Sequence, residues 1–127
     1  MISDKEKYIN LATQKRDGSF VNTPVWFAKD NTNNIYFIFS AGEAGKVKRI
    51  KNFSKVKVAI CNYQGNLFGE WFKAEAELIE DEASVKLAYM RLMEKYGWQF
   101  QIVNFFSRLT GKYNQRQVIK FKLWGSY

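Results

Sequence analysis

Apolar positions fall into short blocks separated by polar turns, and the period inside the blocks changes along the chain. Tyr8 to Thr13 is nearly continuously apolar and predicts a strand. Asp17-Gly18 follows, a dipeptide that favours hairpin turns, so Phe20 to Ala28 reads as the return strand. Pro24 sits inside that strand and donates no ladder hydrogen bond, which assigns the strand to a sheet edge or a bulge. A polar turn over Lys29 to Asn34 leads to a third strand over Ile35 to Phe39.

The texture then changes. Ser40-Ala41-Gly42-Glu43-Ala44-Gly45 is small and loop-like. Lys46 to Phe53 has apolar Val47 and Ile50 at helical spacing, which predicts a short helix. Val56 to Cys61 is β-branched and reads as a strand, Tyr63 to Asn66 as a turn, and Leu67 to Ile79 as a long strand. Asp81 to Tyr96 is the clearest helix. Asp81 or Ser84 can cap it, Val85, Ala88, Leu92, Met93 and Tyr96 form one stripe, and Gly97 ends it. Trp98 to Leu109 reads as a second helix or a covering segment, and Gln117 to Trp124 as the last strand. The sum is a mainly β fold, a small barrel of about six mostly antiparallel strands with one or two helices, in one domain over residues 1–127.

Composition narrows the chemistry. The 127 residues include no histidine and one cysteine, Cys61. That excludes a Ser-His-Asp or Cys-His unit, a histidine-ligated metal and a thiolate cage. A lone cysteine and the lack of a leader-like apolar run at the N-terminus lead us to expect a cytoplasmic protein. No run is long and apolar enough for a membrane helix. The net charge of +8 favours anionic partners.

Several groups are candidates for that chemistry, each with a plainer reading. Between Lys46 and Lys57 lie six basic residues and no acid. With Ser40, the glycines and a helix N-terminus these are the parts of a phosphate site; the plainer reading is a solvated helix face. Asn22-Thr23-Pro24-Val25-Trp26 offers unpaired backbone groups to the polar edge of a flat ring, or is simply an edge strand. Trp71, Phe72, Trp98, Phe100, Phe105 and Phe106 can form a pocket or a dimer face, or be core. Glu75, Glu77, Glu80, Asp81 and Glu82 read as a solvated face rather than paired catalytic carboxylates, and Cys61 as a buried hydrophobe.

The order of these pieces resembles the pyridoxamine-phosphate-oxidase-like split barrels, closest to the branch of F420-dependent enzymes. The matching stretches are Tyr8 to Thr13 with Asp17-Gly18, Thr23-Pro24-Val25-Trp26, Ile35-Tyr36, Gly45-Lys46-Val47-Lys48-Arg49-Ile50 with Asn52, Val56 to Cys61, and Tyr96-Gly97. The resemblance implies an FMN-binding-type split barrel that forms a homodimer with cofactor at the subunit interface. It implies phosphate contacts from Ser40 and Lys46, a further basic contact from Lys48 or Arg49, and a cofactor ring beside Thr23, Pro24, Val25 and Trp26. The oxidase's Arg-Lys pair is here Gly45-Lys46, and its substrate-binding histidine and arginine have no counterparts, so the resemblance does not extend to pyridoxamine phosphate as substrate.

The expectation is therefore an oxidoreductase that uses F420 or FMN to pass hydride to a small conjugated acceptor. The branch favours F420, the cofactor supplies the chemistry, and Trp98 and Phe105 are the candidate substrate wall. Two rivals are a carrier or sensor that binds the cofactor without turnover, and a basic nucleic-acid-binding barrel. Against the latter, aromatic residues and lysines do not interleave along a strand except around Trp71-Phe72-Lys73.

Overall fold

The computed structural model describes residues 2–30, 34–41, 45–97 and 116–126. Its elements run β1 (Tyr8–Gln14), β2 (Phe20–Val25), β3 (Ala28–Lys29), β4 (Ile35–Ala41), α1 (Gly45–Asn52), β5 (Lys55–Cys61), β6 (Phe72–Ile79), α2 (Glu82–Tyr96) and β7 (Arg116–Ser126). The strands form one seven-stranded sheet in the order β2-β1-β5-β6-β7-β4-β3, and every pairing is antiparallel.

Chain connectivity forces this sheet to curl. β2 and β3 lie at opposite edges, yet only Trp26 and Phe27 separate them. Three residue steps span at most about 11 Å. Six interstrand spacings in a flat sheet would need about 29 Å. The edges must therefore approach each other, which makes a split barrel. Inside it, Ile9, Leu11, Val25, Phe27, Tyr36, Ile38, Val56, Val58, Ile119 and Phe121 form the main core. Helix α1 joins this core through Val47 and Ile50 and lies against β1 and β6. Helix α2 packs on the outer face of β3 and β4.

Local chemistry explains most boundaries. In the β1–β2 hairpin, Gly18 adopts φ 90°, and Asp17 Oδ1 accepts from Ser19 N–H at 2.9 Å. Asp81 caps α2 by accepting Ser84 N–H at 2.9 Å, which holds its carboxyl below the usual range. Gly97 ends the helix, donating its N–H to Met93 O at 2.8 Å. Pro24 lies on an edge strand, as its missing N–H requires.

Two expectations change, while the seven strands of the described residues agree with a small split barrel of about six. The return strand over Phe20 to Ala28 divides, because at Trp26-Phe27 the chain leaves one sheet edge for the other. The long strand from Leu67 begins only at Phe72. Asn62 Oδ1 accepts from Gln64 N–H and Asn66 N–H at 2.9 and 3.0 Å, which holds a turn. Beyond it Leu67 makes one isolated bridge to Cys61 before the ladder resumes.

Candidate functional site

The basic run folds into α1, where helical geometry sorts its side chains. Val47 and Ile50 face the barrel. Residues three apart share a face, so Lys46 and Arg49 lie on one flank with Gly45, and Lys48 points to the other. Lys48 is exposed, whereas Lys46 and Arg49 are half-buried. Burial, and then the Arg49 charge, lower the Lys46 pKa. The first turn of α1 holds no acidic residue.

Arg49 is fixed by a neighbour from another strand. Its Nε donates to Thr13 Oγ1 at 2.6 Å, and Thr13 is fully buried on β1. The guanidinium folds back over Gly45, where an added Cβ would sit 2.7 Å from Nη1. Two cations and the positive end of a helix thus converge on backbone that carries no side chain at Gly45. Such a group has the chemistry to bind an oxyanion.

The other sequence candidates are placed as follows. Ser40 is buried near the end of β4, directly opposite Gln117 of β7. Thr23, Pro24 and Val25 pair with Leu11, Asn10 and Ile9 along the β2 edge. Thr13 faces Val21, two residues along β2 from Thr23, so this strand passes the cation group. Trp26 does not join it. Its indole stacks on Tyr96 of α2, with ring centroids 4.4 Å apart and planes 8° apart. Trp98 and Phe105 lie outside the described residues.

The surface beside β1 brings together what the linear sequence separates. Lys57 Nζ lies 4.1 Å above the Phe20 ring and 5.5 Å from the Trp71 ring, and Lys73 Nζ lies 5.5 Å from the Trp124 ring. A groove of about 240 Å³ is lined by Gln14, Phe20, Lys55, Val56, Lys73 and Trp124. Aromatic residues and lysines therefore do interleave, across strands rather than along one. A second cleft, of about 330 Å³, lies between α2 and the sheet, with Phe39, Ile79, Val85, Tyr89 and Val118 among its lining.

The acidic residues form no catalytic pair. Glu75, Glu77, Glu80, Asp81 and Glu82 are exposed, and Glu77 pairs with Lys120 at 3.0 Å. Among the described residues no His/Cys/Asp/Glu group could hold a metal. Cys61 is buried, and burial raises its thiol pKa. Among the described residues no helix is long and apolar enough to cross a membrane.

The barrel agrees with a match along the sequence. The family model of pyridoxamine 5'-phosphate oxidase matches residues 2–123. The chain belongs to the pyridoxamine 5'-phosphate oxidase family. Solved structures of similar fold include HutZ, the heme storage protein of Vibrio cholerae, with TM-score 0.66 at 14% identity over 97% of this chain and 84% of that one. They also include an F420 reductase, with TM-score 0.61 at 15% identity over 96% of this chain and 90% of that one. No curated protein sequence matches the chain. At these identities the likeness is one of fold. Sequence reading did not single out Thr13, whose Oγ1 holds Arg49.

Proposed function

We propose that this protein binds the phosphate of FMN or coenzyme F420 at the start of α1 and serves as an oxidoreductase for a small conjugated acceptor. One observation carries the reading: Lys46 and Arg49 share a helix flank at Gly45, with no acid in the first turn. Lys46 and Arg49 would bind the phosphate, with Ser40 beside them, and β2 from Thr23 to Val25 would border the ring. Trp26 would act through its packing on Tyr96, since that stacking occupies one face of the indole. The cofactor supplies hydride transfer in its own ring. The chain's part is to hold the phosphate and orient the ring, work that needs no histidine.

Of the two cofactors F420 is favoured, because the Gly45-to-Ile50 run resembles that branch and the fold is shared with an F420 reductase. Likeness to a heme storage protein supports the barrel, but this chain has no histidine to ligate a haem iron.

The protein would act as a homodimer. Phe20, Leu67, Phe68 and Trp124 are exposed large apolar side chains, the kind of surface a second copy covers. The groove that Phe20 and Trp124 line supports a second reading, because lysines over aromatic rings also suit single-stranded nucleic acid.

The test is an absorbance spectrum of the purified protein and titration with FMN and with F420, run with a light-scattering measurement of mass. Binding of F420 with reoxidation by an acceptor supports the reductase. Binding without turnover on any acceptor turns the reading to a carrier or sensor. Binding of neither cofactor overturns the proposal, and salt-dependent binding of an oligonucleotide would then favour the second reading.

A further inference from the structure

The Lys46–Arg49 group depends on a residue outside the basic run. Thr13 alternates with Ile9 and Leu11 on the inner face of β1, where apolar side chains are the rule. Its side chain is fully buried, and its Oγ1 accepts Arg49 Nε–H at 2.6 Å. An arginine on a short helix otherwise samples many rotamers, and ordering it costs side-chain entropy. Here the order is already present. The bond uses Nε, so the two Nη groups carry the remaining donors. Gly45 completes the arrangement: a Cβ there would meet Nη1 at 2.7 Å and both Cζ and Nη2 at 3.4 Å.

We propose that Thr13 is a positioning residue for the phosphate site, acting through Arg49, and that Gly45 leaves the room in which the guanidinium lies over the first turn of α1. The inference rests on the phosphate-binding reading above and adds the device that preorganises it. A hydroxyl in a barrel wall, aimed at a helix that carries a like-charged neighbour, brings the Arg49 charge towards Lys46. Two cations are held together at a cost that a bound anion relieves.

The test compares phosphorylated ligands with phosphate-free ones, and the first pair differs only in phosphate. The parent, Thr13→Val, Thr13→Ser and Gly45→Ala are each titrated with FMN against riboflavin, and with F420 against its phosphate-free deazaflavin core. Melting temperatures are measured alongside. Thr13→Val keeps the shape and removes the acceptor, so the preference for the phosphorylated ligand should fall about tenfold. Thr13→Ser should restore it to within about twofold of the parent. Gly45→Ala should lose the same preference without loss of melting temperature, because alanine favours the helix.

A purely structural Thr13 would give a different pattern: a lower melting temperature and equal weakening of phosphorylated and phosphate-free ligands. That result, or an unchanged preference in Thr13→Val, overturns the inference. If Thr13→Val does not fold, Gly45→Ala decides alone, and an unchanged preference there is equally fatal. A parent that shows no preference for phosphate overturns the phosphate reading itself, an outcome distinct from a variant that fails to change a preference the parent has.

Discussion

Two regions of the molecule gather cations and settle them in opposite ways. Along α2, Arg91 lies 3.4 Å from Asp30 and 3.3 Å from Glu94. Lys95 Nζ lies 3.4 Å from Asp4 Oδ1 and 3.5 Å above the Phe27 ring. At the start of α1, Lys46 and Arg49 face each other's charge with no acid in the turn. The first region uses carboxylates from within the chain, and its cations serve the fold. Among the described residues the second has no carboxylate in its first turn, and on the reading proposed above the cofactor phosphate would meet its charge. Position alone does not separate the two kinds of cation, since Lys46 and Lys95 are both withdrawn from water. Their partners do.

The comparison breaks most sharply if the α2 side proves dispensable. Tyr96 is its hub. Its hydroxyl accepts Phe27 N–H at 3.0 Å and lies 2.8 Å from Lys7 O and 2.9 Å from Phe27 O, either of which can take its proton. It thereby ties α2 to the N-terminal segment and to the crossing between β2 and β3. Burial pushes its phenol pKa strongly up. Tyr96→Phe keeps the stacking on Trp26 but leaves the Phe27 N–H without its acceptor. The expected loss is about 2–3 kcal/mol of stability, read from urea unfolding, with cofactor affinity unchanged. A loss below about 0.5 kcal/mol would make the network ornamental.

A smaller effect is expected from pH. Burial lowers the Lys95 pKa from 10.5 to about 8, against the opposing pull of Asp4. The unfolded chain therefore binds this proton more tightly, and stability rises with pH wherever the unfolded state holds more protons. The cost of burying the charge is full below about pH 8 and fades towards the ordinary lysine value. Cys61, Tyr36 and Tyr96 act the other way: their raised pKa values favour the folded state until the thiol and the phenols of the unfolded chain ionise near their ordinary values of 9.0 and 10.0, after which stability is lost. Stability should climb by on the order of 1 kcal/mol between about pH 8 and 9, level off, and fall above about pH 10. Lys46, whose pKa burial also lowers, adds to the climb, so Lys95→Met should reduce it and leave the fall. Urea midpoints at intervals of pH would show it, and an undiminished climb in the variant would assign it to other groups.

How much of this was legible in the sequence depends on whether the cause is local. The α2 boundaries follow from Asp81 and Gly97, and the hairpin from Asp17-Gly18, because caps and turns act within a few residues. The break at Trp26-Phe27 is invisible, because two large apolar residues look like more strand. It exists only because the sheet must bring its far edges together. The helical spacing of Gly45, Lys46 and Arg49 was present in the sequence, and a helical projection would already have set Lys48 on the other flank. Thr13 carried no signal, since threonine in an apolar strand is an ordinary β-former. The meeting of Lys57 with Phe20 and Trp71, and of Lys73 with Trp124, needs the register of five strands, and registers are set by the whole sheet.

The smallest effect makes the finest division, and it lies within one helix. Lys46 and Lys48 are two residues apart in the same basic run, and both resemble phosphate ligands in sequence. Lys46→Ala removes a half-buried charge on the Gly45 flank, and the affinity for the phosphorylated cofactor should fall about tenfold. Lys48→Ala removes an exposed charge on the opposite flank, where water and salt screen it, and affinity should change by less than about twofold. Both changes replace a charge with a good helix former, so neither should weaken α1. Titrations at low and at physiological salt separate the cases. A direct contact persists as salt rises, while a diffuse attraction fades and would make the two lysines equivalent. Equal losses from both variants would mean that α1 offers only a general positive field. A loss confined to Lys46 would mean that helical geometry, not the count of basic residues, makes the site.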